Sequence, residues 1–324
     1  MLMTVNPKLR QLASRCGGTF SREDALQSGY TPSQIRERLR AGRWTAVRRG
    51  FYAAKPEWAD KPPWERSVIA HKLAVHATSR ALAGSGVVIS HQSAAILHGL
   101  TGWGLDLGHV HVTRRDKSRG RLLGGTRHHV GELFRGDVTE VGGVAVTAIA
   151  RAIVETACFA PYEAAVALCD DALHRSLVTK ADLHTTLDRV LGWPGTGRAS
   201  AVVEFADGLS ESVGESRLRV LMDNHGLPTP ELQTRFGTGP DVAARVDFFF
   251  REYDVVVEFD GLIKYRGDTL ASVVREKARE DRLRALGVLV IRVTWDDLQH
   301  PELLIRRIRE AFARSSSAKK VLSH

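Results

Sequence analysis

The sequence predicts a multi-domain α/β protein, and three observations carry that expectation. Three short helical stretches between residues 8 and 40 run straight into a basic pair of strands at 43–52. Residues 246–250 and 255–260 read as paired strands of Val and Phe interrupted by acids. The run Gly192-Trp193-Pro194-Gly195-Thr196-Gly197 is rich in helix and strand breakers and reads as a linker between them. A chain of 324 residues has room for two or three domains with sizeable cores. The expected units are 1–58, 59–192 and 198–314, followed by a disordered tail at 315–324.

Hydrophobic content of 43% and charged content of 26% are those of a soluble globular chain. No run of about 18 apolar residues exists, so no membrane span is expected. The opening MLMTVNPKLRQLASRCGG lacks the apolar centre of a signal peptide. Cys16, Cys158 and Cys169 are scattered, odd in number and without metal-ligand spacing. They read as reduced core residues of a cytoplasmic protein. Residues 1–55 hold eleven Lys or Arg against three acids, nearly the whole formal excess of +9. Charge concentrated in one small region points to a polyanionic partner, with nucleic acid the first expectation.

In chain order, Leu9 and Leu12 mark a helix over 8–16 that Gly17-Gly18 ends. Ser21 is a good N-cap for a helix through Ser28, which Gly29 closes. Thr31-Pro32 starts a third helix with Pro at its first position and Ile35 and Leu39 on its buried stripe. Residues 43–52 then form a hairpin with a basic tip. Three helices and a hairpin make a winged helix-turn-helix, in which the third helix enters the DNA major groove and basic residues meet phosphates. Ser33, Arg36 and Arg40 on that helix, with Arg43, Arg48 and Arg49 on the hairpin, are the expected DNA-binding residues. A solvated Arg-rich helix is the plainer alternative.

The run GGTFSREDALQSGYTPSQIRERLRAGRWTAVRRGFYA, from Gly17 to Ala53, resembles the N-terminal winged-helix domain of AbiEi-family antitoxins of type IV toxin–antitoxin systems. The resemblance implies operator binding, repression of the protein's own operon and a cognate toxin as partner.

Pro62-Pro63 opens the middle region, where an amphipathic helix is expected at 64–82 and a strand at 87–89. Ser90 caps a helix from His91 to His98 in SHQSAAILHGL, a stretch similar to the AbiEi middle region. Further strands are expected at 110–113 and from 144, a charged loop at 114–121, and helices at 148–158, 161–174 and 180–190. His91 and His98 are seven residues apart, without the i, i+4 spacing of a metal pair, and His128 and His129 point to opposite faces of a strand. These histidines read as packing or surface residues, and the region as a scaffold.

After the linker, a helix over 211–225 places Glu215 on the same stripe as Leu218 and Met222, where a core-facing carboxylate needs a partner. The hairpin follows: Phe250 pairs with Val255 across the turn, which puts Asp247 opposite Glu258, with Asp260 two residues along. Like charges about 5 Å apart across a ladder repel. A hard cation such as Mg²⁺ (or Mn²⁺) held by Asp247 and Glu258 would offset that repulsion, the alternative being an edge hairpin whose acids face solvent. A helix at 270–286 carries alternating bases and acids, read as a solvated face. Residues 288–294 form a continuous apolar strand, central in its sheet, and 301–314 form the last helix.

The segments GESRLRVLM, ARVDFFF, VVVEFDGLIKY and EKAREDRLRALGVLVIRVTWDDL together resemble the DUF559 / very-short-patch-repair (Vsr)-like endonuclease family. That resemblance implies a restriction-endonuclease-like α/β/α domain of the PD-(D/E)XK superfamily. It implies Glu215 as the helix acid, Asp247 and Glu258 as metal ligands, and Asp260 as the second acid of the Glu-x-Asp-Gly element. Two positions depart from the pattern: Asp260 stands where the wider class has Lys, and Lys264 where the closer family has His. A charged Lys stabilises phosphate but is a poorer base than His. The expected function is DNA binding coupled to Mg²⁺-dependent phosphodiester hydrolysis, with Lys264 neutralising the scissile phosphate. The alternative is a non-catalytic regulator or antitoxin whose nuclease-like domain binds only nucleic acid or a toxin.

Overall fold

The computed structural model describes residues 5–55, 61–114, 120–237, 244–261, 279 and 283–322, and for 316–322 the backbone alone. The chain divides into two compact units, Met1–Ala172 with Ser176–Ala206, and Leu173–Arg175 with Asp207–His324.

The first unit opens with α1 (Pro7–Arg15), β1 (Thr19–Ser21), α2 (Arg22–Gln27), α3 (Pro32–Arg40), β2 (Trp44–Arg48) and β3 (Phe51–Ala54). Ser21 and Asp24 form a reciprocal capping box at α2, and Thr31 and Gln34 form another at α3, so both helix starts are fixed by their own sequence. β1 has no counterpart in the sequence reading. It pairs antiparallel with β3 and widens the hairpin into a sheet of order β1-β3-β2. Trp44 fills the centre, its ring meeting Phe20 at 4.7 Å and Tyr30 at 5.0 Å, both edge-on. Ile35 and Leu9 close that core.

α4 (Pro63–Ala81) packs against all three of these strands, and Arg80 donates to Asp24 Oδ2 at 2.7 Å. Beyond it come β4 (Val87–Ile89), α5 (His91–Leu97), β5 (Val110–Arg114), β6 (Arg121–Leu123), β7 (Thr126–Val130), β8 (Val138–Val141) and β9 (Val144–Thr147). They form one sheet of order β6-β7-β5-β4-β9-β8, in which β5–β7 and β4–β9 are parallel. α6 (Ile149–Ala157), α7 (Tyr162–His174), α8 (Lys180–Arg189) and α9 (Thr196–Phe205) complete the helices of this region.

The expected linker at 192–197 is a tight turn. Gly195 has φ +87°, and a Cβ there would lie 2.1 Å from the Cys158 carbonyl oxygen, so only glycine fits. α9 begins one residue later and packs on α6 and α8, which moves the boundary between units from 192–197 to after Ala206.

The second unit contains α10 (Val213–Asn224), β10 (Glu231–Phe236), β11 (Ala244–Phe250), β12 (Val255–Phe259), β13 (Leu289–Val293) and α11 (Pro301–Leu322). Its sheet runs β10-β11-β12-β13, antiparallel except for the β12–β13 pair. Phe250 pairs with Val255, the register expected from the sequence. One face packs Phe248, Phe250, Val257 and Val293 against Leu218 of α10 and Ile308 of α11. On the other face, Val246, Phe249 and Val256 pack against Leu283 and Val288.

Two expectations need correction, and one strand was not foreseen. β13, expected to be central, is the edge of the described sheet. Ile291 and Val293 are buried against α10 and α11 on one face, whereas Val290 is half-buried on the other and Leu289 is exposed. The expected disordered tail is instead a continuation of α11 through Leu322, since no Gly or Pro interrupts Ser315–Leu322. β10 has no counterpart in the sequence reading, because Glu231–Phe236 is too polar to show strand alternation. Lys264, the loop at 115–119 and most of the helix expected at 270–286 lie outside the described residues.

Candidate functional site

Two groups of side chains answer to the sequence expectations. On α3, Ile35 is buried while Ser33, Arg36 and Arg40 are exposed, as the helical spacing requires. Arg36 Nη2 donates to Ser33 Oγ at 3.1 Å. Arg49 is exposed at the turn between β2 and β3, where Gly50 takes φ +80°. Arg48 is half-buried, and desolvation holds its pKa below the usual guanidinium value. Its Nη1 has no hydrogen-bond partner among the described residues.

Arg43 stands apart from this group, because its guanidinium is paired with Glu37. Arg38 also turns inward, its guanidinium lying 4.7 Å from the Tyr30 ring centre and 5.7 Å from that of Trp44.

The acids of the second unit are positioned by α10 and the strand ladder. Ser212 caps α10: its Oγ accepts from Glu215 N at 3.2 Å and donates to Glu215 Oε1 at 2.7 Å. Glu215 Oε2 accepts from Glu211 N at 2.9 Å and from Gln233 Nε2 at 3.1 Å. The Gln233 amide also reaches Asp247 Oδ1 at 3.5 Å and so bridges the two carboxylates.

Gln233 holds φ +51°, a left-handed conformation that costs a non-glycine residue about 1 kcal/mol or more. The β10–β11 ladder is regular at Leu232–Phe248 and Thr234–Val246 and lapses between them, at Gln233 and Asp247. Val246 and Phe249 consequently share one face while Phe248 and Phe250 share the other. Asp247 sits at that irregularity, and its Oδ2 accepts the Phe259 N–H at 2.8 Å.

Burial, and then the negative charge of Glu215, push the Asp247 carboxyl up to about 6; Glu258 adds to this, and the Phe259 N–H opposes it. The repulsion expected between Asp247 and Glu258 is therefore present, but Glu215 is the stronger neighbour. Glu258 has its own counter-charge, since Arg279 Nη1 and Nη2 donate to its two oxygens at 2.7 Å each. The sequence pattern alone assigns Arg279 to a solvated face. The Asp260 carboxylate lies 3.7 Å from Arg292 Nη1.

Hard oxygen donors carrying more negative charge than one arginine offsets suit a divalent cation chemically. Their spacing is looser than that of a metal centre. Among the described residues, these carboxylates do not bring one oxygen each within 4.8 Å of one another, and Glu258 is committed to Arg279.

The group that does converge is one the sequence reading missed. His91, His111 and His129 bring a ring nitrogen each within 4.8 Å of one another. They lie on α5, β5 and β7, so no local spacing links them. The parallel register, with His111 beside Arg127 and Thr113 beside His129, faces both rings to one side of the sheet, and no spacing within one element signals it.

Residues 7–55 match a protein family described as a transcriptional regulator, AbiEi antitoxin. Two Mycobacterium tuberculosis proteins, uncharacterized protein MT2308 of strain CDC 1551 / Oshkosh and uncharacterized protein Rv2248 of strain ATCC 25618 / H37Rv, are each 31% identical to this chain over 179 residues. The match covers 55% of this chain, which spans 65% of the length of these curated relatives. The crystal structure of the RV2827C protein from M. tuberculosis aligns with a TM-score of 0.38 at 18% identity, over 62% of this chain and 78% of that one. No helix among the described residues is long and apolar enough to cross a membrane.

Proposed function

We propose that the chain is a DNA-binding transcriptional regulator acting as the antitoxin of a toxin–antitoxin pair, with a toxin encoded nearby as its partner. The match of residues 7–55 to AbiEi-type regulators carries this reading. The surface chemistry supports it. In a winged helix-turn-helix arrangement, α3 is the helix that enters the major groove. Arg36 and Arg40, one helical turn apart and exposed, would face base edges and phosphates, with Ser33 beside them. Arg49 and Arg48 at the hairpin would reach the flanking backbone.

The test is a fluorescence-anisotropy titration of the full chain against duplex DNA from upstream of its own gene, at several salt concentrations. Replacing Arg36, Arg40, Arg48 and Arg49 by Ala should reduce the slope of log K against log salt by about 3 to 4, near 0.9 for each phosphate no longer neutralised. An unchanged slope and affinity in the fourfold variant would overturn the proposal.

A second reading concerns the C-terminal unit, and the surplus negative charge around Asp247 favours it. In this reading the unit cleaves phosphodiesters, as its resemblance to Vsr-like endonucleases suggests. Asp247 and Glu258 would hold Mg²⁺ or Mn²⁺, and the bound cation would lower the pKa of an attacking water. Glu215 and Gln233 orient Asp247, Asp260 would position water, and Lys264 would offset phosphate charge. Arg279 competes with a cation for Glu258, which favours the non-catalytic alternative in which the unit binds nucleic acid or the toxin only. Incubating wild type with plasmid, single-stranded and mismatched DNA, with and without Mg²⁺ or Mn²⁺, separates the two. Cleavage lost in Asp247→Asn supports catalysis; no cleavage under any condition leaves a binding domain.

A further inference from the structure

We propose that His91, His111 and His129 form a binding site for a divalent first-row transition metal ion of the Zn²⁺ class, held by three imidazoles with a fourth position left to water. The three ligands come from the start of α5 and from two paired strands, β5 and β7, and the proposal is independent of the DNA-binding reading.

The geometry is close to what such an ion needs. His111 Nδ1 and His129 Nε2 are 2.9 Å apart, and all three donor nitrogens lie within 4.8 Å of one another. Zn–N bonds of about 2.0–2.1 Å in a tetrahedron separate two nitrogens by about 3.4 Å, inside that span. The His91 and His129 rings lie 3.7 Å apart and nearly parallel, with Phe159 covering both at about 6 Å. Two imidazoles on one tetrahedral ion have ring centres about 5 Å apart, close to the 5.5 Å of His91–His111 and the 5.0 Å of His111–His129. The stacked His91 and His129 rings must therefore part by about 1.5 Å for all three lone pairs to meet one ion.

His91 is placed there at a cost. It holds φ +53° as the first residue of α5, a conformation that persists in a non-glycine residue only where its surroundings enforce it. Glu155, fully buried, accepts the His91 N–H at 3.1 Å, and its other oxygen accepts from Arg151 Nε at 2.8 Å. The same Glu155 carboxylate lies 3.6 Å from His91 Nδ1, where it would orient a ligating ring.

The outer partner of His111 is also in place. Gln92 Nε2 lies 2.9 Å from His111 Nε2 and also donates to the Asp106 carbonyl oxygen at 3.2 Å. As placed it donates to a bare His111 Nε2, and it accepts from Nε2–H only by turning over and giving up the Asp106 contact. With His111 protonated on Nε2, its Nδ1 lone pair turns to the metal position once the 2.9 Å hydrogen bond to His129 Nε2 is given up.

Protonation does not compete at neutral pH. Burial, with His129 and Arg127 next, holds His111 down to about 3; burial and Arg127 hold His129 down to about 4. Burial and the two neighbouring histidines keep His91 well below its usual value. Arg151 also faces the group, but Glu155 and Asp137 offset its charge. Three neutral imidazoles without a clustered carboxylate or thiolate select Zn²⁺, Co²⁺, Ni²⁺ or Cu²⁺ over Mg²⁺ or Ca²⁺.

The test titrates the tag-free, metal-stripped full chain with Co²⁺ and follows visible absorption, then displaces Co²⁺ with Zn²⁺. One equivalent should bind with the intense bands of a tetrahedral site, and X-ray absorption of the Zn²⁺ form should show three imidazoles. His129→Ala, the least buried of the three, should weaken binding by more than the roughly 10–100-fold that loss of an outer partner costs, and Gln92→Leu by about 10-fold. His174→Ala, at an exposed helix end, should change nothing. Absence of a stoichiometric site in wild type overturns the proposal whatever the variants do. Equal binding by wild type and a folded His129→Ala overturns it as well.

Discussion

Arg279 holds both carboxylate oxygens of Glu258 at 2.7 Å, so the negative charge in the middle of a buried strand is matched by a guanidinium. Sequence spacing alone suggests that removing the Glu258 charge relieves repulsion with Asp247. The pair predicts the opposite balance. Glu258→Gln leaves a partly buried guanidinium without its anion and should destabilise the protein by roughly 1–3 kcal/mol. A double-mutant cycle with Arg279→Met, measured by urea denaturation, should give a coupling above about 1 kcal/mol. Coupling near zero would mean the pair does not hold in solution.

Asp247 should make stability fall as pH rises. Its carboxyl titrates near 6 in the fold against 3.8 when free, so the folded state binds the extra proton between those values. The contribution is fully present below about pH 4 and is lost as pH passes through 6, on the order of 3 kcal/mol in all. Asp247→Asn should remove this slope and raise stability at pH 7.5. Denaturation at pH 4.5, 5.5, 6.5 and 7.5 checks it; an unchanged slope in the variant would place the titrating group elsewhere.

The arginines of the N-terminal region should separate by role. Arg38 lies over Tyr30 and Trp44, so Arg38→Ala should cost about 0.5–1 kcal/mol of stability and leave the salt dependence of DNA binding alone. Arg36→Ala and Arg40→Ala, at exposed positions of α3, should do the reverse. Thermal melts beside anisotropy titrations distinguish the two patterns.

Asp24 does two things at once. Its Oδ2 accepts the Ser21 N–H at 2.7 Å, completing the α2 cap, and accepts Arg80 from α4 at the same distance. Asp24→Ala should cost about 1–2 kcal/mol, mostly from the cap. If Arg80→Ala costs as much as Asp24→Ala, the ion pair rather than the cap carries the effect.

Local interactions are legible in the sequence because their partners lie within four residues or across one tight turn. The caps at Ser21 and Thr31 come from short-range hydrogen bonds, whereas Ser90, also read as a cap, makes no side-chain cap bond to α5. The exposed face of α3 follows from its 3.6-residue period, and the Phe250–Val255 register from the turn length and the strand period of two. Glu215 stands out in the sequence because a carboxylate on an apolar stripe must find a partner, and it is indeed buried. None of this names the partners. That Glu215 shares Gln233 with Asp247, and that Glu258 pairs with Arg279, depends on chain reversals that bring together residues 14 to 21 positions apart. His91, His111 and His129 show the limit most clearly. Each looks like an ordinary packing residue in its own element, and only the parallel pairing of β5 with β7, beside the strained start of α5, brings three donor nitrogens within reach of one ion. Sequence period decides which face a side chain takes; the tertiary fold alone decides what it meets there.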